Sequence, residues 1–173
     1  MNIKELKESL IFRGMSDQEI KEAIENLYSK EKVYQKGTTI FFACKKTETM
    51  GLVLEGSVKI ESNNARGDRS ILTKVDRGGY FAESYAVLKD EPMLVNVTAN
   101  EDTRVLFLRI GNLKNLILES KLWKQKLLLN LLAISAEKNL ALSKRSLHIS
   151  SKTIRGRVMA YLSDLSIKKG EKE

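Results

Sequence analysis

The strongest constraint on the fold of this chain is that its hydrophobic period changes twice along its length. From Val33 to Ile110 the apolar residues fall into short runs rich in β-branched and aromatic side chains: TTIFFA, GLVLEGSVKIES, RSILTKVD, MLVNVTA and TRVLFLRI. Turn-forming residues separate the runs, and short strands at this spacing predict an antiparallel β-sandwich or jelly roll. Glu55-Gly56, between two runs, predicts a tight hairpin turn. The segment NNARGD, Asn63 to Asp68, predicts a second, exposed hairpin loop.

On either side the period is helical. In SDQEIKEAIENLY, Ser16 followed by Glu19 forms a capping-box pattern, and Ile20, Ala23, Ile24 and Leu27 then fall on one helix face. Leu6, Leu10 and Ile11 suggest a shorter helix just before it. From Leu113 onward helical spacing returns and persists. Leu129, Leu132, Ala136, Leu140, Ser143 and Leu147 recur every three or four residues, as in a coiled-coil seam, while Leu127, Leu131 and Ile134 make a second stripe. A helix apolar on two faces needs two partners. One stripe is expected to pack on the chain's own roll and the other on a second copy, giving a homodimer.

After this helix comes HISSKTIRGRVMAYLSDLS, in which Ser150, Ser151 and Thr153 are candidate N-caps. Ile154, Val158, Tyr161, Leu162 and Leu165 form a new apolar face. An amphipathic helix with so little after it reads as the opening element of a further domain. The expected organisation is therefore a mainly β domain over 1–113, a long dimerisation helix over 114–147, and a hinge with a first helix over 148–173.

The charge is unevenly placed. Residues 1–113 carry 17 Lys/Arg against 17 Asp/Glu, residues 114–145 carry 7 against 2, and residues 146–173 carry 6 against 3. The whole excess thus sits in the last third, as expected either of a solvated helix face with a lysine-rich tail or of a segment lying near nucleic acid. One Cys and one His cannot build an intramolecular disulfide, an ordinary zinc site or an iron–sulfur cluster. For the same reason a cupin-type metal enzyme, which also uses a small barrel of strands, is not expected. No run approaches membrane-spanning length. The chain reads as a cytoplasmic binding protein without cofactor, metal or enzymatic activity.

The order of helices, roll, long helix and Gly-Arg helix resembles the family of bacterial transcription regulators of the Crp/Fnr type, related to the catabolite activator protein. KGTTIFFACKKTETMGLVLEGSVKI resembles the family's first strands, DRGGYFAES its glycine–acid–aromatic–glycine–glutamate signature, and TIRGRVMAYLSDL the first helix of its DNA-binding domain. The resemblance implies an allosteric, dimeric transcription regulator. It would sense a small-molecule effector in a cyclic-nucleotide-binding-like roll and bind DNA through a C-terminal winged helix-turn-helix that is largely missing from this chain. The alternative is a stand-alone regulatory module acting on a protein partner.

The resemblance also implies a phosphate-binding cassette over Arg77–Ala99. In that cassette a glutamate takes a ribose hydroxyl, amides of a short helix receive the cyclic phosphate, and a later arginine neutralises it. Gly78 and Glu83 stand at the expected places. Gly79 stands where an acid is usual and Ala82 where a glycine is, while the arginine's place falls at Met93 or Leu94. Leu140-Ala141 is apolar where cyclic-AMP-responsive members place adenine contacts. Cyclic AMP is therefore not the expected effector, and what remains is a small organic molecule of less anionic character or no effector at all. The candidate effector site comprises Gly78, Tyr80, Glu83, Ser84, Tyr85, Leu94, Asn96 and Leu140, with Phe81 beside them. Cys44 falls at the family's turn-glycine position and His148 at the hinge, so both read as structural.

Overall fold

The computed structural model describes residues 2–63, 69–111 and 121–150, together with Thr153, Arg155, Val158 and Met159. The tip of the NNARGD loop, the side chain of Leu147, the 148–151 hinge side chains, and most of the last apolar face (Ile154, Tyr161, Leu162, Leu165) lie outside the described residues. The chain divides into two compact units, Met1–Asn130 and Leu131–Glu173.

The first unit opens with α1 (Ile3–Lys7), a 3₁₀ turn (Leu10–Phe12) and α2 (Asp17–Asn26). The capping box at α2 forms as expected. Ser16 Oγ accepts from the Glu19 amide at 3.2 Å, and Glu19 Oε2 accepts from the Ser16 amide at 2.7 Å. The two bonds satisfy donors that every helix start otherwise leaves open.

Eight strands follow: β1 (Lys30–Tyr34), β2 (Thr39–Phe41), β3 (Thr49–Glu55), β4 (Ser57–Asn63), β5 (Arg69–Asp76), β6 (Tyr80–Phe81), β7 (Asn96–Ala99) and β8 (Thr103–Arg109). A short helix, α3 (Glu83–Leu88), interrupts them after β6. The strands form two four-stranded sheets, ordered β1-β8-β3-β6 and β2-β7-β4-β5, and every pairing is antiparallel. This is the expected jelly roll.

One turn differs from expectation. Glu55-Gly56 does not close a hairpin, because β3 pairs with β6 and β8 while β4 pairs with β5 and β7. The chain changes sheets there. Gly56 has φ +72°, and a Cβ would meet the Asp102 carbonyl and Thr103. The corner is held from the next turn: the Asn100 amide and the Thr103 hydroxyl both donate to the Ser57 carbonyl at 2.9 Å. Sequence spacing sees a turn residue between two strands but not which sheet each strand joins.

Strand alternation gives the first sheet two faces. On the inner face Val53, Phe81, Val105 and Phe107 join Val58, Ala82, Met93 and Val97 in one apolar cluster. Phe41, Phe81 and Phe107 pack edge-on, with ring centroids 5.8–6.4 Å apart, and Tyr34 meets Phe107 at 6.2 Å. On the outer face Leu52, Leu54, Leu106 and Leu108 are buried, as are Leu6, Ile11, Ile20 and Leu27 of the N-terminal segment. Hydrogen bonds hold that segment over the sheet. The Ile11 amide donates to Tyr80 Oη at 2.9 Å, and the Arg109 amide to the Leu27 carbonyl at 2.9 Å.

Arg104 anchors the same outer face. Its guanidinium donates to Glu5 at 2.8 and 3.1 Å, to Glu31 at 3.0 Å and to Glu55 at 2.8 Å, joining α1, β1 and β3. These carboxylates raise the arginine's pKa further, and Arg104 holds the Glu55 carboxyl below its usual range.

The long helix α4 spans Leu122–Ser150. Its first residues belong to the first unit: Trp123 and Leu127 are buried, Lys126 bonds Glu19 at 2.7 Å, and Asn130 donates to the Ile11 and Arg13 carbonyls at 3.0 Å. In the second unit Leu131 and Ile134 are buried, whereas Leu132 and Leu140 are 66% and 63% exposed. Ala136 and Ser143 are exposed as well. No described helix is long and apolar enough to cross a membrane.

Gly51 sits on the inner face of β3 directly beneath the Phe81 ring, where a Cβ would overlap the ring carbons. Gly51→Ala is expected to destabilise the protein by about 1–3 kcal/mol, the usual range for overpacking. Urea unfolding monitored by circular dichroism checks this; an unchanged midpoint would show that the ring can move aside.

Candidate functional site

The segment from Arg77 to Ala99 is clamped onto the roll by its own backbone. β5 ends at Asp76, and Gly78 turns the chain at φ +80°. The Gly78 amide donates to the Val53 carbonyl at 2.8 Å, and the Val53 amide donates back to the Gly79 carbonyl at 3.0 Å. A side chain at Gly79 would collide with Val75 and the Asp76 carbonyl. Sterics alone therefore account for the second glycine where the resembling family has an acid.

β6 then sends its two side chains to opposite faces. Phe81 enters the inner cluster, whereas Tyr80 points outward to the Ile11 amide. Burial pushes the Tyr80 hydroxyl's pKa above its ordinary value. The structure thus does not bring Tyr80 together with the other candidates.

Ala82 forms the N-cap of α3 in the left-handed region, φ 62° and ψ 11°, and supplies no side-chain cap. A β-carbon makes that conformation costly, which explains why a glycine is the natural occupant. Glu83 opens the helix and is 6% exposed; Ser84 Oγ donates to its Oε1 at 3.4 Å. Glu83 and Ser84 are therefore adjacent in space as well as in sequence.

Beyond α3 the chain is tied to the β2 turn. The Met93 amide donates to the Lys45 carbonyl at 2.9 Å, and the Cys44 amide donates to the Met93 carbonyl at 2.7 Å. Cys44 adopts φ 64° and is exposed, consistent with a turn role. Tyr85 Oη accepts from the Leu94 amide at 3.3 Å, and Asn96 Oδ1 accepts from the Ala43 amide at 2.8 Å. Tyr85 and Asn96 thus brace backbone, and Leu94 is 78% exposed. Leu140 belongs to the second compact unit.

Met93 is a core residue. It is 2% exposed and lies in the inner apolar cluster with Phe81 and Ala82. Of the two places the resemblance gives to the arginine, Met93 is a thioether packed among hydrocarbons and Leu94 is an exposed hydrocarbon. A phosphate there would lose its water without gaining a charge-assisted partner. Sequence reading identified the substitution but not the two backbone bonds that fix Met93, nor the bracing roles of Tyr85 and Asn96. Those partners lie far away in sequence and carry no local pattern.

Residues 31–120 match the model of the cyclic nucleotide-binding domain family. Among solved structures, a cyclic nucleotide-binding domain from Methylobacillus flagellatus superposes with a TM-score of 0.74 at 16% identity, covering 88% of this chain and 86% of that one. The sensor domain of the transcriptional regulator DNR from Pseudomonas aeruginosa gives 0.59 at 18% identity, covering 87% and 93%. The catabolite activator protein of Thermus thermophilus gives 0.60 at 24% identity, covering 80% or more of this chain (81%) but only 64% of that protein. A search of curated protein sequences returns no significant match.

Replacing Ala82 with glycine removes a β-carbon from a left-handed position. Ala82→Gly is expected to stabilise the protein by about 0.5–1 kcal/mol. Ala86→Gly, four residues on in the same short helix, is expected to destabilise it. Paired thermal melts check both, and equal shifts in the two variants would mean that the strain is relieved elsewhere.

Proposed function

The chain belongs to the cyclic nucleotide-binding domain family, and from that premise we propose that it is the effector-sensing and dimerisation part of a Crp/Fnr-type DNA-binding regulator whose effector is not cyclic AMP. The observation that carries the second half is Met93, buried in the apolar cluster where a cyclic phosphate would need its counter-charge. A less anionic organic effector would sit against Gly78, Glu83, Ser84 and Tyr85, with Leu94 and Asn96 at the edge. Glu83 offers a carboxylate to a hydroxyl of such a ligand, as the family's glutamate does.

The homodimer would form through Leu129, Leu132, Ala136, Leu140, Ser143 and Leu147. Leu129, Leu132 and Leu140 are each more than three-fifths exposed (66%, 66% and 63%), which leaves a stripe of leucine in water unless a second copy covers it. Effector binding acts on DNA affinity only insofar as it favours one arrangement of the paired helices over another. The basic excess after residue 113 suits the side of the molecule that faces DNA.

Calorimetry with cyclic AMP and cyclic GMP is expected to show no binding at about micromolar ligand, the range in which a dedicated sensor would respond. Saturable binding of either there would overturn the assignment of Met93. In sedimentation, the double variant Leu132→Lys/Ala136→Lys is expected to run as a monomer and the parent chain as a dimer. A double variant that stays dimeric would remove the seam from the proposal.

A further inference from the structure

Segment 30–46 holds five lysines and one acid, Glu31. Strand alternation in β1 separates them. Glu31 faces outward and is held by Arg104 at 3.0 Å, while Lys30, Lys32 and Tyr34 face inward. In register, Lys30 lies opposite Phe107 of β8 and Lys32 opposite Val105. The inward side chains border a groove of about 540 Å³ at an open edge of the roll, whose walls also include Phe41, Phe107 and Arg109. That volume lies within the range of ordinary small-molecule sites.

The groove's charge is not balanced from within. Its lining carries four cations, Lys30, Lys32, Lys46 and Arg109, and one carboxylate, Glu48. Glu48 is committed to Arg109, at 2.6 and 2.9 Å, and Lys46 reaches Asp90 at 3.2 Å. Among the described residues no carboxylate pairs with Lys30 or Lys32. Lys30 and Lys32 stand two residues apart on one strand face, with Cα atoms about 7 Å apart by strand geometry, so their ammonium groups can converge on one anion. Beside them the half-buried Tyr34 and Phe41 present ring surface already ordered by edge-on packing against Phe107. A planar ring can stack there without ordering new side chains, while a dianionic head group bridges the lysines.

We infer that this groove is a binding site for an aromatic phosphate monoester, separate from the cassette that contains Glu83 and Met93. The two sites share a wall. Phe41 and Phe107 line the groove and also touch Phe81, the β6 residue that leads into Ala82 and α3. A ring seated on Phe41 therefore bears on Phe81, the residue that leads into the cassette.

The test is calorimetry with 1-naphthyl phosphate, against 1-naphthol and inorganic phosphate as the two halves of the probe. Naphthyl phosphate is expected to bind about tenfold or more tightly than either half, because ring and dianion are held together. Lys30→Gln/Lys32→Gln, at exposed strand positions, is expected to keep its melting midpoint and lose about tenfold in affinity. Tyr34→Leu is expected to weaken naphthyl phosphate but not inorganic phosphate. Equal affinity in parent and double variant, naphthol binding as tightly as its phosphate, or no binding to the parent would each overturn the assignment. Glu83→Gln serves as the separating control: naphthyl phosphate binding lost there, and kept in the lysine variant, would place the probe in the cassette and overturn the groove.

Discussion

Everything in the first unit depends on one constraint: the paired strands β3 and β8 are buried on both faces. Their inward residues, Val53, Val105 and Phe107, build the roll's interior, and their outward residues, Leu52, Leu54, Leu106 and Leu108, need a second cover. The N-terminal segment, tied over the sheet through Ile11 and Leu27, supplies it, and the start of α4 bonds to that segment. A roll of this length could not leave that leucine face in water. Burying these four side chains is worth about 1.5–3 kcal/mol each as an upper estimate, comparable with the net stability of a small domain. The helices that flank the roll are thus part of its core rather than additions to it.

The same alternation shapes the site. β6 is only two residues long, yet it sends Phe81 inward and Tyr80 outward, so it serves both cores at once. The cassette that follows has a turn at Gly78, a left-handed residue before its short helix and a buried glutamate. Neither place the resemblance gives to the arginine, Met93 or Leu94, carries a charge. Ala82 keeps a conformation that suits glycine, and Met93 occupies hydrocarbon instead of presenting a charge. Fold and ligand chemistry are separable here because backbone hydrogen bonds set the former and a few side chains set the latter.

Much of this was legible in the sequence. The capping box at Ser16 and Glu19, the run that became β5, the roll itself and the departure at Met93 all follow from local pattern. So does the division of α4 into a buried stripe, Leu127, Leu131 and Ile134, and an exposed one, Leu129, Leu132 and Leu140. The Glu55-Gly56 turn was legible as a turn and wrong as a hairpin, because pairing partners are set by contacts about fifty residues apart, a separation that no local propensity records. Tyr80 looked like a ligand contact for the same reason: a two-residue strand has no period from which its face can be read.

The sequence by itself determined the period of each element, the turns and the absence of a cation at Met93 and Leu94, since each is a property of neighbouring residues. Only the tertiary structure decided which sheet each strand joined and which way each inward residue faced. It also decided that Lys30 and Lys32 would stand beside Phe107. That juxtaposition comes from β1 pairing with β8 across more than seventy residues, and the pairing is fixed by burial of the whole roll, not by any motif in the lysine-rich segment.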